Sequence, residues 1–477
     1  MARTISAARV ASLLGSSLEQ GPAYRSLADG LRLLISDGRI PVDTRLPSER
    51  ELTARLGHSR TTVTRAYAVL RERGFLVSRR GSGSVVRLPA APSGEQDNLL
   101  RPGDVAPDSI DLTCAASPAP PGVVASYERA VEQLPTYLPG TGYFPSGLPA
   151  LREALAARYT QRGLPTVPEQ VLVTAGALAG VAIAARALVR TGERVLLESP
   201  TYPNAVATWR RSGARIAGAA VDRNGWDADG FTTTLRQVAP VAAYLIPDFH
   251  NPTGMLMAED ERAVLGRALS RSRTVTVVDE SLVELGLDDV SMPPPFATFA
   301  ADTILVGSAS KAFWGGLRVG WLRAPDARVG ALVSSRLSLD LGAPLLEQLV
   351  LTDLLARRER VLEARRDQVR TSREALVRAL TERLPQWSFA VPGGGLALWC
   401  ELPAPVSSAL TTAAERQHVL LAAGPSFAPE GGLERWLRLP YTETPERLTE
   451  AVDRLALAWE DALQHRALGA GRSPLVA

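Results

Sequence analysis

Apolar residues recur at helical spacing through residues 22–38. Tyr24, Leu27, Ala28, Leu31, Leu34 and Ile35 share one face, and the pattern stops at Gly38. Ser48 and Glu51 stand at capping-box spacing and predict a second short helix ending near Gly57. Ser59 can cap a third helix over 60–73, with Val63, Ala66, Tyr67 and Leu70 facing inward and Gly74 at its end. Two β-rich runs, 75–78 and 84–87, flank the turn Arg79-Arg80-Gly81-Ser82-Gly83 and predict a hairpin. Three helices and a hairpin make a winged helix-turn-helix.

Residues 89–110 are rich in Pro, Gly, Ser and Asp without apolar periodicity, which predicts a linker. Beyond them, short apolar runs at 171–174, 194–198, 242–246, 274–279 and 303–307 are interspersed with amphipathic segments such as 177–189 and 259–269. That pattern predicts an α/β domain, a mostly parallel sheet layered between helices. From about residue 331 the chain turns helical and arginine-rich, and short strands follow around 395–402 and 436–439, as in a smaller α+β subdomain. The expected division is an N-terminal extension (1–21), a winged domain (22–88), a linker (89–110) and a large domain (111–470).

Composition changes this picture in three ways. With 45% hydrophobic and 22% charged residues the chain is globular in class, and no apolar run approaches the ~20 residues that span a bilayer. Two distant cysteines, Cys114 and Cys400, and four scattered histidines argue against a metal site and a disulfide scaffold; together with an N-terminus lacking a signal-peptide core, they predict a cytoplasmic chain. Charge is unevenly placed: residues 1–90 carry 15 arginines against 7 acidic residues, a net of +8, and the remainder is net −5. A basic first fifth on an acidic body predicts a nucleic-acid-binding module attached to something else. Lys311 is the one lysine among 53 basic residues. A lysine kept in so arginine-rich a chain is a candidate for amine chemistry, which a guanidinium cannot perform.

In the winged domain, Arg60-Thr61-Thr62-Val63-Thr64-Arg65 opens the third helix, where a recognition helix meets base edges. Arginines 50, 60, 65, 79 and 80 supply phosphate and guanine donors, and Thr61, Thr62 and Thr64 supply hydroxyls. The run LPSERELTARLGHSRTTVTRAYAVLRERGFLVSRRGSGSVV resembles the DNA-binding domain of the GntR family of bacterial regulators over residues 20–88. The resemblance implies DNA contacts from Arg50, Arg60, Thr61, Thr62 and Thr64, and from Arg80 and Gly81 on the wing. Where many relatives carry arginine this chain has Thr64, which implies one weaker contact.

In the large domain, Lys311 follows an apolar strand within Gly307-Ser308-Ala309-Ser310-Lys311-Ala312-Phe313-Trp314-Gly315-Gly316-Leu317-Arg318. Desolvation favours its neutral amine, the form that makes an imine. Asp279 ends another apolar strand, where a carboxylate can hold a pyridinium nitrogen protonated. Asn251 in the HNPTG turn can donate to a ring hydroxyl, and Tyr202 in SPTYP can stack on the ring. The N–H groups of Gly176 and Ala177, opening a helix, can bind a phosphate with Ser308, Ser310 and Arg318.

In this order and at these spacings the motifs resemble the fold-type I pyridoxal-phosphate aminotransferases over residues 110–465. Tyr143-Phe-Pro-Ser-Gly-Leu-Pro-Ala-Leu-Arg152 is similar to their N-terminal glycine-containing segment, and Arg438 to the arginine that grips a ligand carboxylate. A GntR-type head on such a body is the layout of the MocR family of transcription regulators. The resemblance implies pyridoxal 5'-phosphate on Lys311, a homodimer, double-stranded promoter DNA as partner, and PLP or an amino compound as effector. Three departures stand out: Ser281 and Leu282 follow Asp279 where a tyrosine is usual, Ala175 replaces a phosphate-loop serine, and Leu178 lies near a commonly polar position. They predict weak transaminase activity at most. A working aminotransferase with an accessory DNA-binding domain, and a regulator whose body is only a dimer platform, are the alternatives.

Overall fold

A computed structural model describes residues 3–14, 22–36, 40, 44–79, 83–87 and 108–471. The expected wing contacts Arg80 and Gly81, most of the linker, and Gly38 lie outside the described residues.

In the head, helices Ala23–Ser36, Glu49–Leu56 and Arg60–Glu72 and the hairpin Leu76–Arg79/Gly83–Val86 form where the pattern predicts them. The expected capping box is closed, because the Ser48 amide donates to Glu51 Oε2 at 2.8 Å and the Glu51 amide to Ser48 Oγ at 3.3 Å. Leu27, Leu31, Leu52, Val63, Tyr67, Leu70 and Val86 are buried together. The Tyr67 hydroxyl donates to the Pro47 carbonyl at 2.8 Å and ties the helix pair to the turn before it.

The segment expected to be a separate extension is part of this unit. Arg3–Thr4 pairs in parallel with Thr44–Arg45, completing a four-stranded sheet, and helix Ala7–Leu14 buries Val10 and Leu14 in the head core. Its apolar stripe, Val10 and Leu14, is too short to register as a periodic pattern, so tertiary packing decides its place.

The body is built on an eight-stranded sheet in the order Val171–Thr174, Gly320–Arg323, Thr303–Ser308, Val275–Asp279, Ala242–Leu245, Arg194–Ser199, Arg215–Asp222, Gly225–Trp226. The five strands from Thr303–Ser308 across to Arg215–Asp222 run parallel, and Gly320–Arg323 is antiparallel to both of its neighbours. The central strands are buried on both faces, which is why they read as apolar runs. Ligand chemistry in such a sheet belongs at the carboxyl ends of the parallel strands. Asp279 and Ser308 are strand-terminal there, and Tyr202 and Asn251 follow other strands at the same edge.

A second sheet runs Ser388–Phe389, Ala397–Glu401, Trp436–Pro440, Val419–Ala423, Ile110–Leu112. Helices Arg358–Arg383, Ser407–Arg416 and Pro445–Gly471 cover it. The expected boundary near 331 moves C-terminally: Leu349, Val350 and Leu354 pack in the large-sheet core, and the change of core falls inside helix Arg358–Arg383, between Leu362 and Val369. The linker likewise ends earlier than expected, since Ile110 already pairs with Val419.

Candidate functional site

On the head, Arg50, Arg60 and Thr61 are exposed, and Thr61 lies in the first turn of helix Arg60–Glu72. The other two threonines have partners within the head. Thr62 closes the N-terminal cap, its amide donating to Ser59 Oγ at 3.1 Å and its hydroxyl lying 2.8 Å from the same atom. The Thr64 hydroxyl donates to Glu49 Oε2 at 2.6 Å, and Glu49 also holds Arg71 at 3.2 Å. Thr64 therefore locks two helices to each other. Arg65 lies over the Tyr24 ring at 4.4 Å.

In the body, register brings together the residues expected to hold a phosphate. Gly320 pairs with both Ser308 and Thr174, so the turn carrying Lys311 and Arg318 folds back against the start of helix Ala177–Leu188. Gly176, at φ +98°, has no room for a side chain: a Cβ there would stand 2.7 Å from Arg318 Nη2. The guanidinium thus lies against the helix N-terminus, exposed, its hydrogen bond being a 3.4 Å contact to the Gly315 carbonyl. Ser308 Oγ accepts from the Ser310 amide at 3.1 Å. Ala177 is half-buried beside them. An exposed guanidinium, a serine pair and the amides at a helix N-terminus fit a phosphate dianion.

Asp279 is buried, and its carboxyl is raised above the usual carboxylate range by burial; hydrogen bonds from Ser281 and Tyr244 and the charge of Lys311 oppose the rise. The Ser281 amide donates to Oδ1 and the Tyr244 hydroxyl to Oδ2, each at 2.8 Å. Burial pushes Lys311 below its usual range, with Arg438 and Arg318 adding to the shift and Cys114 and Asp279 opposing it. Its Nζ donates to the Ala115 carbonyl at 2.7 Å. Arg438, on the central strand of the small sheet, is pushed down to about 10 by burial. It donates to Asn251 Oδ1 at 3.2 Å and to the Thr113 carbonyl, and lies 4.8 Å from the Phe427 ring centroid. Tyr202 is half-buried, its hydroxyl accepting from Asn204 Nδ2 at 3.0 Å; burial raises its phenol, and Asp279, Cys114 and Arg438 are close enough to act on it. A carboxylate, a desolvated amine, an aromatic ring and a buried arginine therefore converge on one edge.

The family described as Aminotransferase class I and II matches residues 139–455. The chain belongs to that family. Its head matches the family described as Bacterial regulatory proteins, gntR family, over residues 23–86. Aminotransferases of classes I and II are pyridoxal-phosphate-dependent as a family, and this one carries a regulator's head, the layout of MocR-type regulators. The HTH-type transcriptional regulator YdfD of Bacillus subtilis is 26% identical over 91% of this chain and 96% of its own length. The probable rhizopine catabolism regulatory protein MocR of Rhizobium meliloti is 28% identical over 64% of the chain and 66% of its own. The crystal structure of LysN, an alpha-aminoadipate aminotransferase from Thermus thermophilus, complexed with N-(5'-phosphopyridoxyl)-L-leucine, is 29% identical, with a TM-score of 0.69 over 75% of this chain and 93% of that one. Among the described residues no helix is long and apolar enough to cross a membrane, and no group of His, Cys, Asp and Glu is placed to hold a metal.

Two parts of this aminotransferase-like site escaped the sequence reading. Tyr244 lies in the apolar run Ala242–Leu245, and its signal was a lone hydroxyl one strand away from Asp279. Thr113 and Ala115 act through main-chain carbonyls, for which side-chain chemistry gives no signal.

Proposed function

We propose that the chain is a cytoplasmic MocR-type transcription regulator that holds pyridoxal 5'-phosphate on Lys311 and reads an amino compound there, while its head binds promoter DNA as part of a homodimer. The observation that carries this reading is Lys311, its amine pushed below its usual range by burial, on the same edge as Asp279 and the Gly176–Arg318 cradle.

Pyridoxal phosphate, when bound, supplies an aldehyde that captures amines and a ring that withdraws electrons while its nitrogen is protonated. The chain's own residues set the terms. Lys311 offers its amine for attachment, and burial lowers the pH at which the unprotonated form becomes available. Asp279, acceptor at both oxygens, would hold a proton on the ring nitrogen, kept in orientation by Tyr244 and the Ser281 amide. Tyr202 would cover the ring, Asn251 would donate to its hydroxyl, and Ser308, Ser310, Arg318 and the amides of Gly176 and Ala177 would hold the phosphate. Arg438 would pair with a ligand carboxylate. With Ser281 and Leu282 after Asp279, the ring hydroxyl has one donor fewer than the family pattern supplies, which favours ligand reading over rapid turnover.

The alternative, a working aminotransferase with an accessory head, is favoured by the completeness of the Lys311, Asp279, Asn251, Arg318 and Arg438 set. The test of the reading is borohydride reduction of the pyridoxal-phosphate-treated chain and peptide mapping. Label on Lys311, lost in Lys311→Ala, is the expected result; label confined to the N-terminal amine would overturn it.

A further inference from the structure

We propose that residues 113–118 form a strap that stands in for the ligands: its main-chain carbonyls hold the amine and the guanidinium that the cofactor and a ligand carboxylate need, so that binding releases the strap. The inference rests on the reading of Lys311 as the attachment point.

Four carbonyls of this short segment meet four donors from separate parts of the fold. Thr113 accepts from Arg438 Nη2, Cys114 from the Thr442 hydroxyl at 3.4 Å, Ala115 from Lys311 Nζ at 2.7 Å and Pro118 from Arg365 Nη2. Arg365 also donates to the Phe313 carbonyl, two residues beyond Lys311, which ties the strap to the lysine turn. No carboxylate pairs with Arg438 among the described residues, and its buried Nε has no partner. A carbonyl is a weak substitute for a carboxylate, whose paired oxygens match the guanidinium fork. A carboxylate arriving at Arg438 therefore outcompetes the Thr113 carbonyl, and attachment at Lys311 removes the bond to Ala115.

The strap lies close in sequence to the route to the head. Ile110–Leu112, immediately before it, is an edge strand paired with Val419–Leu421. The carbonyls of Asp108 and Ser109 accept from Arg454 and Arg447 on helix Pro445–Gly471. Releasing Thr113 and Ala115 thus loosens the chain five residues from Asp108, which leads back through residues 88–107 to the head. The effect on the head is limited to the difference in ligand affinity between strapped and released states.

Hydrogen exchange on the full chain tests this, with pyridoxal 5'-phosphate as the probe and absorbance recording its attachment. Attachment should speed exchange of the amides of residues 113–117 by about two- to tenfold, the loss expected for one hydrogen bond. Lys311→Ala should exchange there at the faster rate without cofactor and not respond to it. Thr442→Val, which frees the Cys114 carbonyl and leaves Lys311 and Arg438 in place, should tighten apparent cofactor affinity by about two- to fivefold. Attachment with unchanged or slowed exchange in 113–117, or Thr442→Val binding no tighter, would overturn the strap and leave the reading of Lys311 standing. Absence of any attachment to Lys311 would overturn that reading and the strap with it.

Discussion

The Tyr244 hydroxyl donates to Asp279 Oδ2 at 2.8 Å, with both residues buried, and the two sit on neighbouring parallel strands. Asp279 is a desolvated carboxylate whose ionised form depends on this bond and on Ser281. Tyr244 itself is pushed well up by burial, so it stays protonated and keeps its hydrogen for the bond it donates to Asp279.

Tyr244→Phe removes the donor and keeps the ring. Fold stability should fall by about 1–3 kcal/mol, since a buried carboxylate oxygen loses its partner. The Asp279 carboxyl should rise further, and affinity for pyridoxal phosphate should drop several-fold. Urea melts and a cofactor titration read these separately.

Lys311 gives a pH prediction. Its folded pKa lies below the ordinary value of 10.5, mainly through burial. The unfolded chain therefore binds more protons than the cofactor-free folded chain between those two values, and stability rises with pH across that window. Lys311→Met should stabilise the cofactor-free chain at pH 7, and the gain should fade as pH approaches 10.5. Attachment of pyridoxal phosphate should likewise proceed at pH values where an exposed lysine is almost wholly protonated. Melts from pH 6 to 10, with and without cofactor, check both.

Arg60 and Thr64 should behave differently although both lie on the helix Arg60–Glu72. Arg60→Ala should cost about 1–3 kcal/mol of DNA affinity if it reads a base, and Arg50→Ala should flatten the salt dependence if it neutralises a phosphate. Thr64→Val breaks the bond to Glu49 and should lower head stability by about 1 kcal/mol, with a smaller effect on DNA affinity. Binding titrations at two salt concentrations, beside thermal melts, separate these outcomes.

Arg438→Gln should abolish the response to α-amino acids and spare amines that lack a carboxylate, because the only change is loss of the guanidinium beside Asn251. Spectral titrations with an amino acid and its decarboxylated counterpart show the contrast.

The sequence was most legible where local chemistry and tertiary position agree. Apolar runs buried on both faces announce the central strands to within a residue, and Ser48, Glu51 and Ser59 announce the head helices, because caps act over three residues. Asp279, Asn251, Tyr202 and Lys311 stood out because each closes or follows such a strand. What stayed hidden depends on long-range pairing. Arg215–Asp222 alternates exposed and buried positions at the sheet margin, Gly320–Arg323 runs against its neighbours, and Ile110–Leu112 straddles the expected end of the linker because three residues carry no period. Arg3–Leu14 joined the head for the same reason. The commitment of Thr64 to Glu49 spans fifteen residues and could not be read from spacing.

Ligand reading and catalysis are separated by one titration of the whole chain, treated with pyridoxal phosphate, on its own promoter DNA. Amino acids are added one at a time, with DNA affinity and turnover with a keto-acid acceptor followed in parallel. An amino acid that shifts the cofactor absorbance should also change DNA affinity, while turnover stays far below the ~10 s⁻¹ typical of enzymes. Turnover near that value, with DNA affinity indifferent to the amino acid, would contradict ligand reading and make the chain a working aminotransferase.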